Sequence, residues 1–189
     1  MNTDPRFDQL ISDGLAASRD GQTDAALARF AEAGALAPAS GIPPFLIASE
    51  HASAGNVEAA EAAFANAVLL APTFALARYQ LGLLQFSSGR AAVGLLTWQP
   101  LFDLPETDAL GHFVRGFAEL AQDHFDAAVH HYASGLACPD ANPAVCGDIR
   151  KLVAELENLR GRPEGGEAPA SADAGTSHVL LAGYAKGLH

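Results

Sequence analysis

Four of the seven histidines, His112, His124, His130 and His131, fall in one stretch of the chain, which makes it the first place to look for metal or acid–base chemistry. The spacing argues against both. His130 and His131 are adjacent, so on a helix they point about 100° apart and make a poor metal pair. His112 stands twelve residues before His124 across a predicted turn, and no His-Glu-x-x-His pattern is present. These histidines read as surface or partly packed residues. Cys138 and Cys146 have no metal-type spacing. They are near enough in sequence for a disulfide, but in a reducing compartment two small buried thiols are the expectation. There is no Gly-x-Ser-x-Gly, no Walker loop and no Gly-x-Gly-x-x-Gly. The glycine-rich run at Gly161 lacks a lysine, a preceding strand and a following helix, so it reads as linker. No catalytic, metal-binding or cofactor-binding residue is assigned, no cofactor is expected, and the chain reads as a non-enzyme.

The bulk properties narrow the partners. Net charge is −11, which disfavours nucleic acid and an anionic membrane surface alike, since both repel an acidic protein. No apolar run approaches the ~18 residues needed to cross a bilayer. The start, Met-Asn-Thr-Asp-Pro-Arg-Phe-Asp, has neither the basic nor the apolar segment of a secretory signal, so a cytoplasmic location is expected.

The elements that could position a site repeat along the chain. In Asn56 to Pro72 the apolar marks Ala60, Phe64 and Ala67 share one helix face, with Asn56 as N-cap and Pro72 just past the end. The same marks recur as Ala26, Phe30 and Ala33, as Gly94, Trp98 and Leu101, and as Ala128, Tyr132 and Gly135. The closing prolines Pro38, Pro72, Pro105 and Pro139 step by 34, 33 and 34 residues. A period near 34 is the signature of stacked helix pairs. Repeats are expected at about 7–40, 41–74, 75–108 and 109–142, with turns at Asp20-Gly21, Ala54-Gly55, Gly89 and Gln122-Asp123. Small residues Gly14, Ala48, Gly82 and Gly116 should let paired helices approach, and the large aromatics should fill the gap to the next pair. Pro100 falls where the third repeat's second helix should still run, so that helix should be short or bent.

These residues resemble the tetratricopeptide repeat family, whose pattern reads W-x2-L-G-x2-Y, A-x3-F, P. The rear half is kept as Ala26-x3-Phe30, Ala60-x3-Phe64 and Ala128-x3-Tyr132. The front half survives best as Leu81-Gly82, and its tryptophan and tyrosine are missing in every copy. The resemblance covers about Phe7 to Asn142 and implies an all-α, right-handed solenoid of four helix pairs. Asn142-Pro143 opens a capping helix over 143–160, with Val145, Ile149, Leu152, Val153 and Leu156 on one stripe, so the solenoid is expected to span 1–160. Residues 161–177 read as a flexible linker. Residues 178–189 form a short apolar tail marked by Val179, Leu180, Leu181, Tyr184 and Leu188.

In this family the first helix of each pair lines a concave surface. The resemblance therefore implies a groove formed by Ile11 and Leu15, by Phe45 and Ser49, by Tyr79, Leu83 and Phe86, and by Phe113, Phe117 and Leu120. The lysine and asparagine clamp that some members use for a partner's C-terminal carboxylate is absent. The expected partner is another protein, presenting an apolar helix or segment to an adaptor or scaffold. The linker's root-mean-square reach of roughly 20–25 Å would let the tail return to the groove, or join a neighbouring chain into a homo-oligomer. The competing expectation is a secretion-type chaperone that shields apolar segments of an exported protein.

Overall fold

The computed structural model describes residues 5–160. The expected linker and tail lie outside the described residues. Within them the chain is helical and has no strand: α1 (Pro5–Arg19), α2 (Thr23–Leu36), α3 (Ile42–Ser53), α4 (Val57–Leu70), α5 (Ala75–Ser87), α6 (Ala91–Trp98) with a 3-10 turn over Gln99–Leu101, α7 (Ala109–Leu120), α8 (Phe125–Leu136) and α9 (Pro143–Arg160).

One backbone motif closes the first helix of all four pairs. The amides of Gln22, Asn56, Arg90 and His124 donate to the carbonyls of Ala17, His51, Gln85 and Glu119 at 2.9, 2.8, 3.0 and 3.0 Å. Inside each loop Gly21, Gly55, Gly89 and Asp123 donate to the carbonyl three residues back. These two bonds define a Schellman ending, which needs a residue in the left-handed region. That residue is Gly21 (φ 72°), Gly55 (75°), Gly89 (78°) and, in the fourth pair, Asp123 (60°). Glycine takes this conformation without a Cβ clash. Aspartate tolerates it because its side chain is short and polar.

Contacts divide the chain into Met1–Leu84 and Gln85–His189, with the boundary inside α5. In the first unit Phe7, Leu10 and Ala33 form one buried cluster, and Ala48, Ala60, Phe64 and Leu81 form another. In the second unit an aromatic chain runs from Phe86 to Trp98 (5.7 Å between ring centroids), to Phe117 (5.2 Å) and to Tyr132 (5.4 Å). Val145, Ile149, Leu152 and Leu156 of α9 are buried in the same unit.

The pairing contact is a small residue facing a ring. Gly116 of α7 lies against Tyr132 of α8, and Gly135 of α8 lies against Phe113 of α7. Three residues back on one helix match three forward on the other, so the helices run antiparallel. Gly14 meets Phe30 in the same way. The rear aromatics thus seat inside their own pair first, a correction to their expected place between pairs. Phe64 and Trp98 also reach onward, to Leu81 and Phe117.

Pro100 has the effect its chemistry requires. α6 stops at Trp98 after eight residues, and the chain tightens into the 3-10 turn, where Gln99 N bonds to Leu96 O. A proline lacks the donor and crowds the carbonyl four residues back, so the α-helix cannot continue. The caps differ from one another. Asn142 Oδ1 accepts from Ala144 N at 3.0 Å and Val145 N at 3.2 Å, and Asp108 Oδ1 accepts from Leu110 N at 2.9 Å. Asn56 occupies the N-cap of α4, but its side chain makes no capping bond. In α9, Arg150 stands 34 residues after Gly116 and is exposed.

Candidate protein-binding surface

The groove positions divide between the two units. In the first unit, Leu15 is 41% exposed. Ile11, Ser49 and Leu83 are partly buried, as is Phe45, whose ring packs on Phe64 at 5.7 Å and Phe74 at 5.0 Å. Tyr79 is buried. In the second unit Phe86, Phe113, Phe117 and Leu120 are all buried, with Phe113 at 0%. At these five positions, four aromatic rings and Leu120, the expected groove lining is instead buried core. Phe113 fills the hollow left by Gly135, and Phe117 sits among Phe86, Trp98 and Tyr132. A ring that supplies core volume in a close-packed interior has no face to spare for solvent.

The accessible positions lie on α1, α3 and α5 of the first unit. Ser18 Oγ donates to Glu50 Oε1, tying the end of α1 to the end of α3. Ser49 Oγ donates to Phe45 O at 2.9 Å, so its hydroxyl is satisfied within its own helix. Ile11 and Leu15 are four residues apart on α1, and Phe45 and Ser49 four apart on α3. Each pair therefore shares one helix face.

A second concavity in the first unit was not expected from the sequence. A cleft of about 680 Å³ is lined by Phe7, Ala37, Pro38, Ile42, Ala71 and Phe74, with Ala39, Ser40 and Gly41 between them. No lining residue is charged. Gly41 makes its geometry possible: a Cβ there would come within 2.8 Å of both Ala67 O and the Ala71 Cβ. The hint in the sequence was Gly41-Ile42 placed directly before Pro43-Pro44. Proline at the start of α3 fixes Ile42 at the helix opening, where it stays 45% exposed.

In the second unit the histidines separate by role. His124 Nδ1 lies 2.9 Å from Glu119 Oε2 on the surface, whereas His112 and His131 sit together, with ring centroids 6.0 Å apart. Among the described residues no group of three or more His, Cys, Asp or Glu is placed to hold a metal ion. Cys138 and Cys146 are both free thiols, and Cys146 is buried.

Helix pairs closed by Schellman turns, with a glycine seated against an aromatic ring in the first and fourth pairs, make this the tetratricopeptide-repeat fold. Solved structures of MamA proteins share it. The 41-end form of MamA from Desulfovibrio magneticus RS-1 matches with a TM-score of 0.59 at 14% identity, over 85% of this chain and 100% of that one. Another MamA structure matches with a TM-score of 0.56 at 19% identity, over 80% of this chain and 83% of that one. No family model matches the sequence, and no curated protein matches it.

Proposed function

We propose that the protein is an interaction module, an adaptor or scaffold, that takes an apolar helix or extended segment on the first-helix face of its first unit. The observation that carries this is Leu15, a large apolar side chain left 41% exposed beside partly exposed Ile11. Phe45 and Leu83 extend the surface, whereas the equivalent rings of the second unit are in its core. An apolar face of this kind takes an amphipathic helix through anchors four residues apart. The net charge of −11 favours protein partners over nucleic acid. No described helix is long and apolar enough to cross a membrane, and cytoplasmic residence belongs to the same proposal.

The test is capture of partners by the full chain, by the Leu15→Ala/Phe45→Ala double variant and by a chain lacking residues 162–189, followed by mass measurement of each complex. The proposal requires that the double variant lose a captured protein, with affinity falling about tenfold or more if the two side chains are anchors. Equal capture by a folded double variant overturns it. The truncated chain asks whether the tail carrying Val179, Leu180, Leu181, Tyr184 and Leu188 competes for the surface or builds homo-oligomers. A partner insoluble alone and rescued by co-expression would select a secretion-type chaperone within the same proposal.

A further inference from the structure

The second unit half-buries an imidazole pair that the binding surface does not use. His112 of α7 and His131 of α8 face each other at 6.0 Å between centroids, and His130 lies 6.1 Å from His131. Geometry fixes the tautomer of His112. Its Nε2 is 2.8 Å from the carbonyl oxygen of Glu106, and a carbonyl only accepts. Nε2 therefore carries the hydrogen, and in the neutral ring Nδ1 is a bare lone pair. That Nδ1 is buried and has no hydrogen-bond partner in the protein, and the same is true of Nδ1 of His131. A second proton on His112 would go to a nitrogen that no acceptor meets.

The surroundings also oppose added positive charge. Arg115, three residues beyond His112, donates to Phe102 O at 2.7 Å and Leu104 O at 3.0 Å. It is thus a permanent cation fixed beside the pair. The groups acting on His131 are His112, Arg115 and Glu119 from α7 and His130 from its own helix, while α9, also packed on α8, adds none. Glu119 alone favours a proton there, and it already accepts the contact of His124. Burial first, then His112 and Arg115 with His130, hold the His131 imidazole below its ordinary value of 6.5 against the pull of Glu119.

We propose that the His112–His131 contact is a proton-operated latch that keeps α7 on α8 while the buried His131 ring is neutral and loosens when that ring takes up a proton. Phe113 follows His112 directly and lies against Gly135. Loosening would therefore uncover apolar core of the second unit. The direction in pH follows from linkage. Above 6.5 both folded and unfolded chains hold His131 neutral, and the latch is intact. Below it the unfolded chain takes the proton first, so stability falls as pH falls.

The experiment compares the full chain with His131→Gln and, as a control on the exposed pair, His124→Gln. Tm is measured at pH 7.5 and 5.5, with a dye for exposed apolar surface as the second readout. The proposal expects wild type and His124→Gln to lose several degrees more on acidification than His131→Gln, with dye binding rising in step. Equal losses in all three overturn it. Should His131→Gln fail to fold, an NMR titration of the wild-type histidines decides. A midpoint for His131 below 6.5, with α7 and α8 amides changing in the same pH window, supports the latch. A midpoint at or above 6.5 ends it.

Discussion

The ring of Phe30 occupies the space where a side chain on Gly14 would begin. A Cβ built on Gly14 would lie 2.7 Å from Phe30 Cδ1 and nearer still to Cε1, and Gly116 meets Tyr132 in the same way. Phe30 and Tyr132 are almost wholly buried, at 1% and 0% exposure, so neither ring can swing aside. Gly14→Ala and Gly116→Ala should each destabilise the fold by about 1–3 kcal/mol through overpacking. Gly147→Ala should do the opposite. It lies inside α9 with nothing within 4 Å of a new Cβ, so better helix propensity should add about 0.5–1 kcal/mol. Urea midpoints for the three variants check the sign of each.

The fourth turn holds a residue that its three counterparts avoid. Asp123 sits at φ 60° where the others have glycine. Asp123→Gly should stabilise the second unit by about 0.5–1 kcal/mol by relieving a left-handed non-glycine residue. Gly55→Ala should destabilise by a similar amount. Thermal unfolding of the two variants, side by side, gives opposite shifts if the turns are equivalent.

Two asparagines at helix openings should behave differently. Asn142 accepts from two backbone amides, so Asn142→Ala should lose about 1 kcal/mol. Asn56 makes no such bond, and Asn56→Ala should change stability by no more than about 0.5 kcal/mol. Denaturant unfolding at fixed pH measures both. Equal losses would show that Asn56 also caps in solution.

Leu15 and Phe113 occupy comparable first-helix faces yet should separate binding from folding. Phe113→Ala should cost about 3–5 kcal/mol of stability, the penalty of emptying a filled core site. Leu15→Ala should leave stability within about 0.5 kcal/mol while weakening partner capture. Circular dichroism melts combined with the capture assay place each residue in one class.

What was legible in the sequence was whatever repeats. The marks Ala26, Phe30 and Ala33 and their copies define the buried helix faces, because burial imposes one period on every copy. The turn residues were readable too, Asp123 included, since each must tolerate a positive φ. The binding face was harder. Phe45 and Phe113 are equivalent in register, but Phe113 is drawn into the core by Gly135, a residue on another helix. That compensation between a glycine and a distant ring leaves no local pattern. The contact of His112 with His131 was hidden for the same reason, since the antiparallel return of α8 brings nineteen residues of separation to 6.0 Å.

Arg150 stands in α9 at the place that Gly14 and Gly116 hold in theirs, and it is exposed. A guanidinium on a long stem leaves no hollow for an aromatic ring, so this face cannot receive a second helix in the way α1 and α7 do. For protein engineering this marks the point at which the array could be lengthened. A designer grafting another pair after α9 would first have to replace Arg150 with glycine or alanine, and so give the incoming ring its seat.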